Sequence, residues 1–286
     1  EISELSPNDR VIPYDLNTPL FSDYAHKARF MWLPEDHSAQ VDSTGKIHFP
    51  TQSILIKNFF YHHDERDLSA GRRILETRLL VKNDKGWEAH TYIWNEAQTD
   101  AELSIIGDVM KVNWIDISGE AIEIDYIVPN KNQCKGCHDF DGKLMHLGPK
   151  IANLDRDYDY GAGSKNQLDR WMEMKYLEGL DKKITYPKFP KWDDDNADLH
   201  QRAMAYLDVN CGNCHNPEGP ANTSGLNLVF EQKKDIQLGI FKGPVASGKG
   251  SGGHSYNIVP GEPENSILVY RMESTDPGAM MPELGR

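Results

Sequence analysis

Two five-residue stretches constrain this chain more than anything else in it: Cys134-Lys135-Gly136-Cys137-His138 and Cys211-Gly212-Asn213-Cys214-His215. Each reads C-x-x-C-H, the attachment pattern of a c-type haem. The chemistry sets the spacing. Two thiols about one helical turn apart add to the two vinyl groups on one edge of a porphyrin, and the adjacent imidazole goes to the iron. The chain has four cysteines, and all of them lie in these two motifs. Two covalently bound haem c groups are therefore expected. Cys134, Cys137, Cys211 and Cys214 would make the thioethers, and His138 and His215 would ligate the two irons.

Other uses of paired cysteines fit less well. The two C-x-x-C pairs of a zinc ribbon stand about 15–20 residues apart, whereas Cys137 and Cys211 are separated by 74 positions. A redox dithiol needs neither a His after each pair nor a second pair. Two structural disulfides in an exported protein are the remaining alternative.

At 286 residues the chain is long enough for about two domains. Its hydrophobic fraction of 38% and charged fraction of 26% are those of a folded domain rather than a disordered one. No apolar run approaches the roughly 18 residues of a membrane span, and the first residues do not form a signal peptide. Haem is attached to C-x-x-C-H outside the cytoplasm. The expected location is therefore periplasmic or extracellular, with Glu1 a mature N-terminus or the start of the ordered part. A net charge of −13 argues against nucleic acid and anionic membrane surfaces. It suits a redox partner with a basic docking patch, and it also serves solubility.

The order of elements predicts an α+β chain. Residues 1–127 read as a β-rich domain of sandwich or barrel type. Ser53 to Tyr61 is a β-branched and aromatic run, and Ile74 to Lys82 alternates with Leu75, Thr77, Leu79 and Val81 on one face. Asn83-Asp84-Lys85-Gly86 has turn chemistry, and Trp87 to Trp94 returns as the partner strand. Val109 to Trp114 and Ala121 to Val128 make a second pair around Ser118-Gly119. From residue 128 the character becomes helical, with a first haem module at 128–195 and a second at 196–286. Lys165 to Leu180 and Ala197 to Val209 have helical spacing. The glycine-rich stretch from Gly243 to Gly253 lacks the phosphate-loop pattern and reads as a mobile hairpin tip. Asn222-Thr223-Ser224 matches a glycosylation sequon, of little weight without a eukaryotic secretory context. Asp193-Asp194-Asp195 reads as a solvated linker.

Residues 197–286 resemble a class I cytochrome c: a leading helix, C-x-x-C-H, the Gly219-Pro220 loop, then Met281-Pro282. The resemblance implies Met281 as the sixth iron ligand, with Met280 and Met272 as neighbouring rivals. A thioether ligand favours ferrous iron and raises the potential. The resemblance also implies that a Gly-Pro loop carbonyl holds the second N–H of the proximal imidazole, which makes Pro149 and Pro220, or their neighbours, haem-contacting candidates. A class I cytochrome continues into a C-terminal helix that lies across its leading helix. The chain is therefore expected to continue past Arg286, or another element covers that helix. The whole chain further resembles a family of exported bacterial di-haem c-type cytochromes with an N-terminal β domain. That likeness rests on Leu16 to Asp23, Glu76-Thr77-Arg78-Leu79, Trp94 to Asp100 and Pro129 to Cys134. Related segments occur beside sugar-dehydrogenase-type modules that pass electrons onward.

The ligand opposite His138 is less defined. His200 is the only candidate within residues 178–203. Met172 and Met174 come early, and Met145 and His146 lie too close to His138. Among His26, His62, His63 and His90 of the β domain, His26 lies in an aromatic stretch and is taken as the metal ligand. These features predict an electron carrier between a redox donor and an acceptor. A haem enzyme of peroxidase or ligand-binding type, with an open iron at the first haem, is the alternative. A third reading is a subunit of a larger extracellular assembly or a homo-oligomer.

Overall fold

The longest strand holds the sequence's clearest alternation. In a computed structural model describing residues 4–140, 142–161, 163–181, 183–246 and 248–284, Arg72–Asn83 is β6, twelve residues long. It follows β1 (Ile12–Tyr14), β2 (His26–Trp32), β3 (Ala39–Val41), β4 (Ile47–His48) and β5 (Ile54–His62). Then come β7 (Gly86–Trp94), β8 (Ala101–Ser104), β9 (Asp108–Ile115) and β10 (Ala121–Val128). The helices are α1 (Lys131–His138), α2 (Ile151–Leu154), α3 (Gln167–Glu173), α4 (Leu199–Leu207), α5 (Asp235–Leu238) and α6 (Ile267–Glu273). Strand outweighs helix, 30% against 21%.

Contacts divide the chain into two units. The first comprises Glu1–Asn17, Asp23–Lys135 and Lys143–Phe189; the second comprises Thr18–Ser22, Gly136–Gly142 and Pro190–Arg286. Lys143–Phe189, part of the stretch 128–195 read from sequence as the first haem module, groups by contacts with the strand-rich unit and carries short strands and turns as well as α2 and α3.

The first unit is built on one antiparallel sheet in the order β1-β2-β5-β6-β7-β8. Successive side chains point to opposite faces. Register puts Lys27, Arg29 and Met31 of β2 on the same face as Leu55, Lys57 and Phe59 of β5 and Glu76, Arg78 and Leu80 of β6. Two apolar clusters cover the ends of this face. Met31, Leu55 and Trp87 pack with Ile151, Leu168 and Trp171. Phe59 and Tyr61 pack with Val112, Trp114 and Tyr126 of the β9–β10 hairpin. The expected sandwich or barrel is thus an open six-stranded sheet with a separate hairpin laid on one face.

Helix α3 is shorter than its apolar spacing implied. Asn166 caps it, its side chain accepting from the Leu168 and Asp169 N–H groups. Lys175 takes a left-handed backbone conformation, φ 58°, which ends the helix. Leu177–Glu178 then pairs with β3 in parallel.

In the second unit, Met204 and Leu207 of α4 pack against Leu226, Leu228, Phe230 and Leu238. The segment after the second motif therefore covers the apolar side of α4.

Candidate functional site

The second motif is delivered by a helix that changes pitch. Asp198 caps α4, accepting from Gln201 N at 2.9 Å. The chain then widens into a π-helical turn, Asp208–Gly212, which carries Cys211. Asparagine side chains bond the carbonyls this turn loosens. Asn210 donates to Tyr206 O at 3.0 Å, Asn213 to Val209 O at 3.0 Å and Asn216 to Gly212 O at 2.7 Å. The Gly219 turn closes against the motif. A Cβ on Gly219 would lie 2.3 Å from the Cys214 carbonyl oxygen, so no larger residue fits without moving backbone.

Cys211, His215 and Met281 line one cavity of about 540 Å³. Leu226, Leu268 and Met272 add apolar wall. The His215 Nδ1 lies 3.0 Å from Ser224 Oγ. That hydroxyl donates its proton to Ala221 O at 2.7 Å, so towards the ring it acts as acceptor. Nδ1 therefore carries the hydrogen and Nε2 keeps its lone pair, the tautomer a metal needs. Burial, aided by the charge of Arg271, lowers the His215 pKa and favours the neutral ring. The partner of Nδ1 is thus Ser224, four residues past Pro220. Pro220 itself is exposed.

The methionine side of the cavity is held by Arg271. Its carbonyl accepts from Met281 N at 2.9 Å, and its Nε donates to Ala279 O at 2.8 Å. Asp276 shapes the same turn, its carbonyl accepting from Ala279 N and Met280 N and its carboxylate from Gly278 N. Of the three C-terminal methionines, Met272 and Met281 line the cavity. The glycine-rich stretch also belongs here. Pro244, Gly248 and Ser251 form wall, and Gly250 lies under the Arg271 guanidinium. It is a built side of the cavity rather than a hairpin tip.

The first motif lies on α1. Asn130 and Gln133 form a reciprocal cap: Asn130 Oδ1 accepts from Gln133 N at 2.9 Å, and Gln133 Oε1 accepts from Asn130 N at 2.8 Å. Cys134 groups with the first unit, whereas Cys137 and His138 group with the second. In the second unit the Cys214 thiol lies against the Cys137 thiol and 3.8 Å from Gly136 O. That thiol pair, with burial, pushes the Cys214 pKa up. Burial raises Cys211 to about 11.

His26 has its partners within the first unit. Its Nε2 is 2.8 Å from Glu65 Oε1, and its ring stacks on Phe60 at 5.5 Å and meets His62 at 4.9 Å. It projects from the sheet face opposite to Lys27 and Arg78, and Arg78 lies within electrostatic reach of Cys134. One step of strand register separates the two faces. His146 packs on Phe49 and Trp87, and Met172 and Met174 pack on the first apolar cluster. His200 is exposed on α4, and Pro149 is buried.

A family model described as Cytochrome c matches residues 128–199. No curated protein and no solved structure matches the chain. The chain thus contains a cytochrome c-like module, whose chemistry is electron transfer by covalently bound haem. The match covers the first motif and ends at the start of α4. The stretch 197–286, for which the class I likeness was noted, overlaps it only at residues 197–199.

Proposed function

We propose that the protein is a di-haem c-type cytochrome that carries electrons between two redox proteins outside the cytoplasm. One observation carries the reading: Cys211, His215 and Met281 line a single cavity, with the His215 ring held in the ligating tautomer by Ser224. A covalent haem there would take thioethers from Cys211 and Cys214 and axial ligands from His215 and Met281. The family match supports the equivalent roles for Cys134, Cys137 and His138. The bound haem supplies the change of iron oxidation state. The protein fixes the ring orientation of His215, presents the Met281 thioether and lines the cavity with apolar side chains, which tunes the potential.

The approach of Cys214 to Cys137 and Gly136 supports a relay. Cys137 and Cys214 would anchor their haems at adjacent points of the chain, an arrangement that would suit electron transfer within it. The test is intact mass and the reduced absorption spectrum of protein exported by a host that matures c-type cytochromes. The expected result is the 32.5 kDa chain plus two haems. Cys211→Ser with Cys214→Ser should leave one haem, and so should Cys134→Ser with Cys137→Ser. A wild-type mass with one haem or none ends the di-haem reading.

A further inference from the structure

The face of the six-stranded sheet holds a row of cations that nothing in the electron-carrier reading uses. Arg29, Lys57 and Arg78 stand opposite one another on β2, β5 and β6, and Lys27 is the next residue on that face of β2. Apolar clusters close the face on both sides of the row. Each cation has been drawn into the protein. The Arg29 side chain is 5% exposed, and Lys27, Lys57 and Arg78 are half-buried.

The anions present are too few for these charges. Glu76 is paired with Arg78 and is also the anion acting on Lys57. Asp15 is shared between Arg29 at 3.0 Å and Arg156 at 2.9 Å. Lys27 Nζ donates to the Ala25 carbonyl at 2.7 Å, and the Asp23 carboxylate is the anion that acts on it. Among the described residues Lys57 has no ion pair; its ammonium lies over the Phe59 ring at 4.9 Å. The Nη2 of Arg29 is buried and has no hydrogen-bond partner among the described residues. A buried guanidinium nitrogen left without an acceptor is costly, and buried charge is retained where something pairs with it. Burial lowers the Lys27 pKa to about 7 and pulls Lys57 well below its ordinary value, with neighbouring cations adding to both. An anion in the row would return both to the charged state.

We propose that this row is a carboxylate-binding site, with Arg29 Nη2 and the Lys57 and Lys27 ammonium groups as the donors that receive the anion. Geometry also indicates a source. Arg78, at the other end of the row, lies within electrostatic reach of the Cys134 thiol. A porphyrin carries its thioethers on one edge and its two propionates on the opposite edge. Two strand spacings of about 4.8 Å separate Arg78 from Arg29, a span comparable with the width of the ring. A haem attached at Cys134 and lying along the row would set its propionates against Lys57 and Arg29. That source rests on the di-haem reading. The cation row itself does not, and a free dicarboxylate would satisfy the same donors.

The test uses holoprotein, wild type and the variants Lys57→Gln and Lys57→Arg. Three quantities are read: haem per chain by intact mass, midpoint potentials by redox titration, and thermal midpoint with added succinate or inorganic phosphate at fixed ionic strength. If propionates fill the row, Lys57→Gln lowers the potential of one haem, because a cation that disfavours the oxidised charge is gone. Lys57→Arg then holds it, and added anions leave the thermal midpoint unmoved. If a free anion fills the row, succinate or phosphate raises the wild-type midpoint saturably, Lys57→Gln loses that shift, and the potentials stay put. Unmoved potentials together with no anion-dependent stabilisation overturn the proposal. Absence of haem at Cys134 ends the di-haem reading and the propionate source, and the succinate titration then decides the row alone. Should Lys57→Gln fail to fold, Lys27→Gln and the wild-type titrations carry the same decision.

Discussion

Replacing Glu76 by Gln tests whether the β unit is organised around one buried charge. Glu76 is 0% exposed. Its carboxylate accepts from Tyr126 Oη at 2.6 Å and Arg78 Nε at 2.7 Å, and also from Arg78 Nη2. It is also the anion that acts on Lys57. Breaking a buried pair by removing one charge costs about 3–5 kcal/mol, because the other charge is stranded. The Arg78 side chain keeps 29% exposure, so water partly solvates it and the cost falls at the lower end. Gln retains an acceptor for Tyr126 but turns an amide towards the guanidinium. The expected loss is about 3 kcal/mol, a large share of the roughly 5–15 kcal/mol that holds a domain folded. Equilibrium urea unfolding measures it; at a slope near 3 kcal/mol per M the midpoint falls by about 1 M. Glu123→Gln is the control, an exposed partner of Lys111 at 3.4 Å, and should change stability by less than about 0.5 kcal/mol. A loss below about 1 kcal/mol for Glu76→Gln would refute the argument.

Ser224→Ala removes the acceptor of His215 Nδ1. A net hydrogen bond of about 1 kcal/mol corresponds to about 40 mV for one electron, so the potential of one haem should rise by that much in a redox titration while the other stays fixed. Arg271→Leu deletes the Nε bond to Ala279 O; carbon monoxide should then bind the reduced protein at a site that is silent in wild type, and no gain in binding would count against the Arg271 clamp. Hydrogen bonds from Thr44 and His48 hold the Asp42 carboxyl well below its ordinary value of 3.8. A depressed carboxyl contributes stability above the unfolded pKa and loses it as pH falls through the folded one. Asp42→Asn should therefore be less stable than wild type at neutral pH, with the gap narrowing below pH 3.8 in acid unfolding curves.

The strands were legible because their signals are local. β5, β6, β7, β9 and β10 follow from alternation and turn residues, and Asn83 to Gly86 makes the hairpin its composition implies. The cytochrome c-like module matched at residues 128–199 was legible because its C-x-x-C-H is written in five consecutive residues. Ser224 was visible only as the last residue of a sequon. Its role arises because the turn after Gly219 folds back on His215, which no spacing rule encodes. The glycine-rich stretch was misread for a related reason: glycines at 248 and 250 look mobile in sequence but form wall and Arg271 contact in the fold. His26 shows the limit of composition. It lies among aromatics as expected, but strand parity puts it on the sheet face opposite to Arg78, which lies within electrostatic reach of Cys134. Helix α3 ran short because a left-handed Lys175 cannot be read from apolar spacing.

The meeting of Cys137 and Cys214 bears on how such a chain is made. On the di-haem proposal four thiols would be consumed, and the fold sets one from each motif against the other. A chain that closes before its thiols react brings these two within reach of an oxidant, and a single cross-link between them would disable both attachment sites at once. On that proposal maturation becomes a matter of timing: the cofactors would have to be joined to an open polypeptide, with final collapse coming last.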